Sequence, residues 1–304
     1  MDKLIFIIGV GRSGTTLIQS MLNAHPEVAC PPESHFLKNY LVPQMQNKLL
    51  YPGEKLIDKL KSDEGIARLG LDLDSIIAHS DVNSPEFLRT FFLDILGKYG
   101  AERNKLHLGE KDPLNTGYLP FIKKAFPDSY IVHIIRDPRD VILSRRKTNW
   151  GGKNPFVVHL AEYKYYMDKV LSEGTTLFGN NYSELYYEDL IEKTEGTLKE
   201  VCKNLGLNFE PAMLEFHKQA AELVTEGEMR WKENVLKPVI KTNKQKWRTG
   251  LSPAQVRRIE AGIPGLFNKL NYDFDSKPSF ARSLYGIFFN LLYSGYKMRK
   301  GSNG

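Results

Sequence analysis

The chain has 304 residues, 41% of them hydrophobic and 26% charged, with a net charge of +6. That mix excludes a disordered or fibrous chain and allows a sizeable core. The basic surplus suits nucleic acid, an anionic membrane or an anionic small molecule, and no RNP-like aromatic motif, zinc finger or recognition-helix pattern favours nucleic acid.

No Pro/Gly/Ser-rich linker, low-complexity run or internal repeat divides the chain, so one domain over 1–304 is expected. The two cysteines, Cys30 and Cys202, are far apart and lack metal-type spacing, which reads as two reduced, buried thiols. The N-terminal apolar run is five residues long, too short for a signal peptide or membrane anchor. A cytoplasmic or membrane-peripheral setting is the expectation.

Leu4–Ile8 reads as a buried strand. It enters Gly9-Val10-Gly11-Arg12-Ser13-Gly14-Thr15-Thr16-Leu17, after which Leu17, Ile18, Met21 and Leu22 recur at helical spacing. A strand, a glycine turn and a helix N-terminus make an anion cradle of backbone N–H groups. Gly9-x4-Gly14 has Walker A spacing, but Thr15 stands where that loop's lysine reaches a nucleoside triphosphate. Arg12 supplies the charge instead, so the cradle suits a phosphate that is not the middle of a triphosphate.

Pro26 ends the helix, Val28–Cys30 forms a short strand, and Pro31-Pro32 stiffens the segment that presents Glu33 and His35. Residues 36–105 read as a helical insertion, either lid or scaffold, with Ser84 capping its clearest helix and Pro85 at the first helical position. Leu106–Pro113 reads as a strand ending in charges, Tyr118–Phe126 as a helix and Ser129–Ile135 as a buried strand. Alternation of this kind predicts an α/β, P-loop-like three-layer fold around a central, mostly parallel sheet. Arg12, Lys111 and Arg136 all follow strands, at the edge where such sheets bind ligands.

After Arg136, Asp137 reads as an N-cap, Pro138 as the first helical residue and Asp140 as a capping-box acid. Ser144 returns two turns later to the face of the helix start, so Arg136 and Ser144 can grip one phosphate. Tyr182–Leu190 is a strand-to-helix junction whose helix, capped by Glu188 or Asp189, runs through Leu198, Val201 and Leu205. Lys237–Trp247 is a basic, Pro-containing loop, and a helix is expected from Ser252 to Leu270. The tail, 278–304, carries Phe280, Leu284, Ile287, Phe288, Leu291 and Leu292 on a helix followed by Lys297, Arg299 and Lys300. It is too short to span a bilayer. Docking on the domain, resting on an anionic membrane and pairing in a homodimer all remain open for it.

The loop Gly9–Leu17 resembles the 5′-phosphosulfate loop of sulfotransferases that use 3′-phosphoadenosine-5′-phosphosulfate (PAPS), and Arg136 with Ser144 resembles their 3′-phosphate motif. Tyr186-Tyr187-Glu188-Asp189-Leu190, Lys111-Asp112-Pro113 and Ala24–Val28 with Glu33 resemble the tyrosylprotein sulfotransferases in particular. The resemblance covers residues 4–36, 109–147, 182–205 and 232–272, and leaves the insertion unmatched.

It implies an O-sulfotransferase with PAPS as cosubstrate and 3′,5′-adenosine bisphosphate as product. Gly11, Arg12, Ser13, Gly14, Thr15, Thr16, Arg136, Ser144, Tyr187 (or Tyr186) and Lys246 would bind the nucleotide. Glu33 would be the base and His35 its rival, while Arg12 and Lys111 would stabilise transferred charge. No metal is expected, because no paired carboxylates at metal spacing accompany the loop. The acceptor would be a hydroxyl on a glycan, a lipid, a phenol or a peptide tyrosine. A P-loop kinase using ATP and magnesium, and a non-catalytic nucleotide-binding module, are the alternatives.

Overall fold

The computed structural model describes residues 3–49, 53–223 and 233–302. Residue 232 of the last resembling stretch, residues 50–52 of the insertion and residues 303–304 of the tail lie outside these. Five strands, β1 (Leu4–Ile8), β2 (Val28–Ala29), β3 (His107–Lys111), β4 (Tyr130–Ile135) and β5 (Tyr182–Tyr186), form one sheet in the order β2-β3-β1-β4-β5. Every pairing in it is parallel.

The chain leaves β1 toward β2 but leaves β4 toward β5, so neighbouring strands send their connections in opposite directions. That divergence opens a crevice beyond the carboxyl ends of β1 and β4. Ile8 is in register with His133, so the residues following the two strands emerge side by side.

Side chains alternate along the strands, as the pleat requires. Phe6 and Ile8 of β1 join one apolar core with Ile131 and Ile135, while Ile5 and Ile7 join a second with Val132 and Ile134. Helices cover both faces. The second core receives helix Thr15–Asn23 and helix Thr194–Leu205. The first receives helix Phe156–Phe178 and the insertion, whose helix Phe87–Ala101 puts Phe92 5.2 Å from Phe36 and 6.4 Å from Phe6. The insertion is therefore built into the sheet's own core.

Three helix boundaries differ from the sequence reading. Ser84 caps nothing: Pro85 and Glu86 belong to a turn in which Ser84 Oγ accepts the Glu86 N–H at 3.1 Å, and the helix begins at Phe87. The helix after β5 breaks at Lys193 into Tyr187–Glu192 and Thr194–Leu205, and no side chain caps either start. The expected helix over 252–270 is likewise two, Pro253–Gly262 and Pro264–Lys269, because Pro264 cannot continue the first. A last helix, Phe280–Ser302, packs Phe289 and Tyr293 onto the domain. Both cysteines are free and buried, and burial pushes their thiols up, to about 12 for Cys30 and about 11 for Cys202.

Candidate active site

The cradle is shaped by close approach. A side chain on Gly9 would meet the Ile134 carbonyl at 2.6 Å, and the Gly9 N–H donates to Thr116 Oγ1 at 2.9 Å. Gly14 has φ +101°, and a Cβ there would lie 2.4 Å from the Tyr187 ring. Arg12 holds φ +81°, an unusual conformation for a residue with a side chain and of the kind found at binding sites. No side chain caps the first helix at Gly14, so its N-terminal dipole faces the cleft. Thr15 and Thr16, the next two residues, line that cleft with Arg12 and Gly14, and Ser13 is buried beneath.

Two arginines meet at this loop. Arg12 Nε donates to Ser144 Oγ at 3.1 Å, and Arg136 Nη1 donates to the Arg12 carbonyl at 3.2 Å. Burial, reinforced by the nearby Arg136 charge, holds the Arg12 guanidinium down at about 10. Two cations at close quarters in a partly dry site favour an anion between them. Arg136 also lies flat against Tyr187, 4.1 Å from the ring centroid, and the Tyr187 hydroxyl accepts from Asn243 Nδ2 at 2.7 Å. Burial raises that phenol. The cleft encloses about 640 Å³, part of it open to solvent, between the loop, Arg136 and Tyr187 on one side and Val235, Val239 and Asn243 on the other. Tyr187, not Tyr186, lines it; Tyr186 faces Tyr272.

Beyond the cradle lies a second cluster. The Lys111 ammonium, from a side chain only 1% exposed, contacts the Glu33 carboxylate and lies 3.4 Å from Thr16 Oγ1. Gln19 Nε2 holds the stiff Pro31 segment by its carbonyl at 2.6 Å, while Glu33 keeps 13% of its side-chain surface exposed. His35, at φ +55°, places Nδ1 2.7 Å from the Asp112 carboxylate, and that hydrogen bond raises the imidazole above its ordinary value. Glu33, His35 and Asp112 lie close enough together to hold a cation, a grouping that spacing along the chain does not reveal. Sequence spacing hid it, because Asp112 follows β3, 77 residues beyond His35. The Lys111 ammonium already supplies a positive charge to Glu33 there.

Not every sequence assignment meets at the cleft. Lys246 is exposed at the start of a short turn of helix, Trp247–Gly250, while Asn243 from the same segment lines the cleft. Asp140 does not close a capping box. Its carboxylate accepts the Trp247 N–H at 2.9 Å, whereas the Asp137 N–H donates to Glu188 at 3.1 Å. Asp137 itself caps as expected, accepting the Arg139 N–H at 2.8 Å. Sequence reasoning missed Arg145, which pairs with Glu162 and would come 3.3 Å from a side chain on Gly11.

Comparison with known proteins decides the family. A model described as the sulfotransferase family matches residues 5–211. The chain belongs to the sulfotransferase family. It is 30% identical over 283 residues to the protein-tyrosine sulfotransferase of Drosophila melanogaster, covering 89% of this chain and 52% of that protein. It is 28% identical over 279 residues to protein-tyrosine sulfotransferase 2 of Gallus gallus, covering 89% and 69%. Among solved structures, the sulfotransferase domain of a Synechococcus olefin synthase superposes with a TM-score of 0.61 at 23% identity, covering 90% of this chain and 95% of that one. The sulfotransferase domain of the curacin biosynthetic pathway gives 0.62 at 22%, covering 90% and 99%. The fold is thus that of a sulfotransferase, and the enzyme transfers sulfuryl groups.

Proposed function

We propose that this sulfotransferase takes PAPS in the cleft between Arg12 and Tyr187 and transfers its sulfuryl group to an acceptor hydroxyl deprotonated by Glu33. The observation that carries the reading is the convergence of two half-sites on one sheet edge. A glycine cradle with Arg12, Arg136, Ser144 and Tyr187 adjoins a carboxylate–ammonium pair, Glu33–Lys111, through Thr16. The fit to a nucleotide rests on the close approach of Tyr187 to Gly14, the uncapped helix N-terminus and the Arg136 guanidinium over the Tyr187 ring.

Bound there, PAPS supplies an activated sulfuryl group whose departure leaves 3′,5′-adenosine bisphosphate. The protein's part is electrostatic and positional. Gly14, Thr15 and Thr16 present backbone N–H groups to the 5′-phosphosulfate. Arg136 and Ser144 hold the 3′-phosphate, and Tyr187 borders the adenine. Glu33 takes the proton from the acceptor hydroxyl as its oxygen bonds to sulfur. Lys111, beside both Glu33 and Thr16, orients that carboxylate and stabilises charge on the transferred group. With the Lys111 ammonium already against Glu33, turnover should survive EDTA, and loss of turnover would assign a metal to the Glu33–His35–Asp112 grouping. The relatives' names favour a phenolic hydroxyl of the tyrosine type as acceptor.

One contact favours a second base: Asp112 orients His35 as a carboxylate orients a catalytic imidazole. Glu33 is preferred because it contacts the Lys111 ammonium, which lies 3.4 Å from Thr16 Oγ1 of the cradle, whereas His35 is tied to Asp112. Transfer of labelled sulfate from PAPS to a panel of phenols, glycans and tyrosine peptides tests both. Glu33→Gln should keep nucleotide affinity and lose about 10²–10⁴-fold in turnover. An inactive His35→Ala beside an active Glu33→Gln reverses the assignment.

A further inference from the structure

The helix Phe280–Ser302 has two apolar faces, and the domain uses only one. Phe289 and Tyr293 are buried, and the Tyr293 hydroxyl donates to Asp168 at 2.8 Å. Gly286 on that side allows close approach, since a Cβ there would lie 2.9 Å from the Ala261 carbonyl. The opposite face carries Phe280, Leu284, Ile287, Leu291 and Met298 at spacings of four, three, four and seven residues, a single stripe along the helix. These side chains stand in water: Phe280 is 80% exposed, Leu291 71% and Met298 72%. A stripe of that length is an interaction surface, and scattered surface leucines do not produce one.

Charge identifies its partner. No acidic residue follows Asp275, while Lys297 and Arg299 flank the stripe near its carboxyl end and Lys300 ends the basic run; Arg282 faces the domain instead, donating to the Ser276 carbonyl at 2.8 Å. We infer that this face docks on an anionic membrane surface, with the apolar stripe at the acyl boundary and the basic side chains reaching the headgroups. A second copy of the chain fits less well, because two such helices face to face would bring basic residues together with no carboxylate to offset them. Among the described residues no helix is long and apolar enough to cross a membrane, so the helix lies on the bilayer surface. The inference rests on the tail alone and is independent of the acceptor and of the catalytic base.

Sedimentation of the full chain with vesicles tests it. The protein should pellet with phosphatidylcholine–phosphatidylserine vesicles, remain in solution with phosphatidylcholine alone, and detach as salt is raised. Each basic residue near an anionic leaflet contributes about fivefold, so Lys297→Ala/Arg299→Ala/Lys300→Ala should lose roughly 100-fold in affinity. Ile287→Asp/Leu291→Asp should abolish binding while affinity for 3′,5′-adenosine bisphosphate stays at the wild-type value, showing that the fold is intact. Absence of binding to anionic vesicles overturns the inference, as does binding that ignores lipid charge. A dimer in sedimentation equilibrium that Ile287→Asp/Leu291→Asp dissolves, with no vesicle binding, assigns the face to a second copy.

Discussion

Replacing Gly14 with alanine strikes the cradle where its shape is most constrained. The backbone there holds φ +101°, which costs a residue with a Cβ about 1–2 kcal/mol. The new methyl would lie 2.4 Å from Tyr187 Cδ2 and 2.9 Å from Cε2, so the ring must move. That ring is held by the Asn243 hydrogen bond at 2.7 Å and by the Arg136 guanidinium at 4.1 Å. Losing the hydrogen bond adds about 1 kcal/mol. The sum is a destabilisation of about 2–3 kcal/mol. Because the displaced ring turns into the cleft, affinity for 3′,5′-adenosine bisphosphate should fall roughly 30-fold or more. Urea unfolding reads the first quantity, and calorimetric titration of the folded variant reads the second. Gly11→Ala is the control: its nearest contact is the end of the flexible Arg145 side chain, at 3.3 Å, with Pro113 and Trp150 at ordinary contact distances of 3.9 and 4.0 Å, so its stability cost should stay below about 1 kcal/mol. A Gly14→Ala protein that binds the bisphosphate as the wild type does would refute the proposed site.

Arg136→Ala should weaken 3′,5′-adenosine bisphosphate about 10–100-fold, far more than 5′-AMP, because a charge-assisted bond to the 3′-phosphate is lost. Equal losses for the two ligands remove the 3′-phosphate assignment. His35 should titrate above 6.5 by NMR, through its bond to Asp112. A raised value means that its contribution to stability is fully present below pH 6.5 and fades as pH rises through the folded-state value. Asp112→Asn should abolish both effects, and a His35 midpoint at or below 6.5 in the wild type would contradict the geometry.

The strands and the cradle were legible because their causes are local. The run Leu4–Ile8, the glycines at 9, 11 and 14 and the uncapped helix start follow from neighbours in sequence. Arg136 at the end of β4 and Asp137 as a cap were legible for the same reason. Contacts made across the chain were not. Asp140 has the spacing of a capping-box acid, yet Trp247, 107 residues away, takes its carboxylate. The resemblance pointed to Lys246, whereas the neutral Asn243 of the same segment reaches Tyr187. Glu33 meets Lys111 over 78 residues, and His35 meets Asp112 over 77, which is why the cluster of potential metal ligands escaped notice. Pro264, which splits the expected helix over 252–270, was a readable signal within the sequence. The apolar residues of the tail helix were legible, but only packing could separate the face on the domain from the face in water.

Calorimetric titration with 3′,5′-adenosine bisphosphate, set against ATP with magnesium, tests the nucleotide assignment most directly. The cradle without a Walker lysine and the Arg136–Ser144–Tyr187 grouping predict tight binding of the bisphosphate and none of ATP–magnesium. Preference for ATP–magnesium would contradict the account and restore a kinase reading of the cleft.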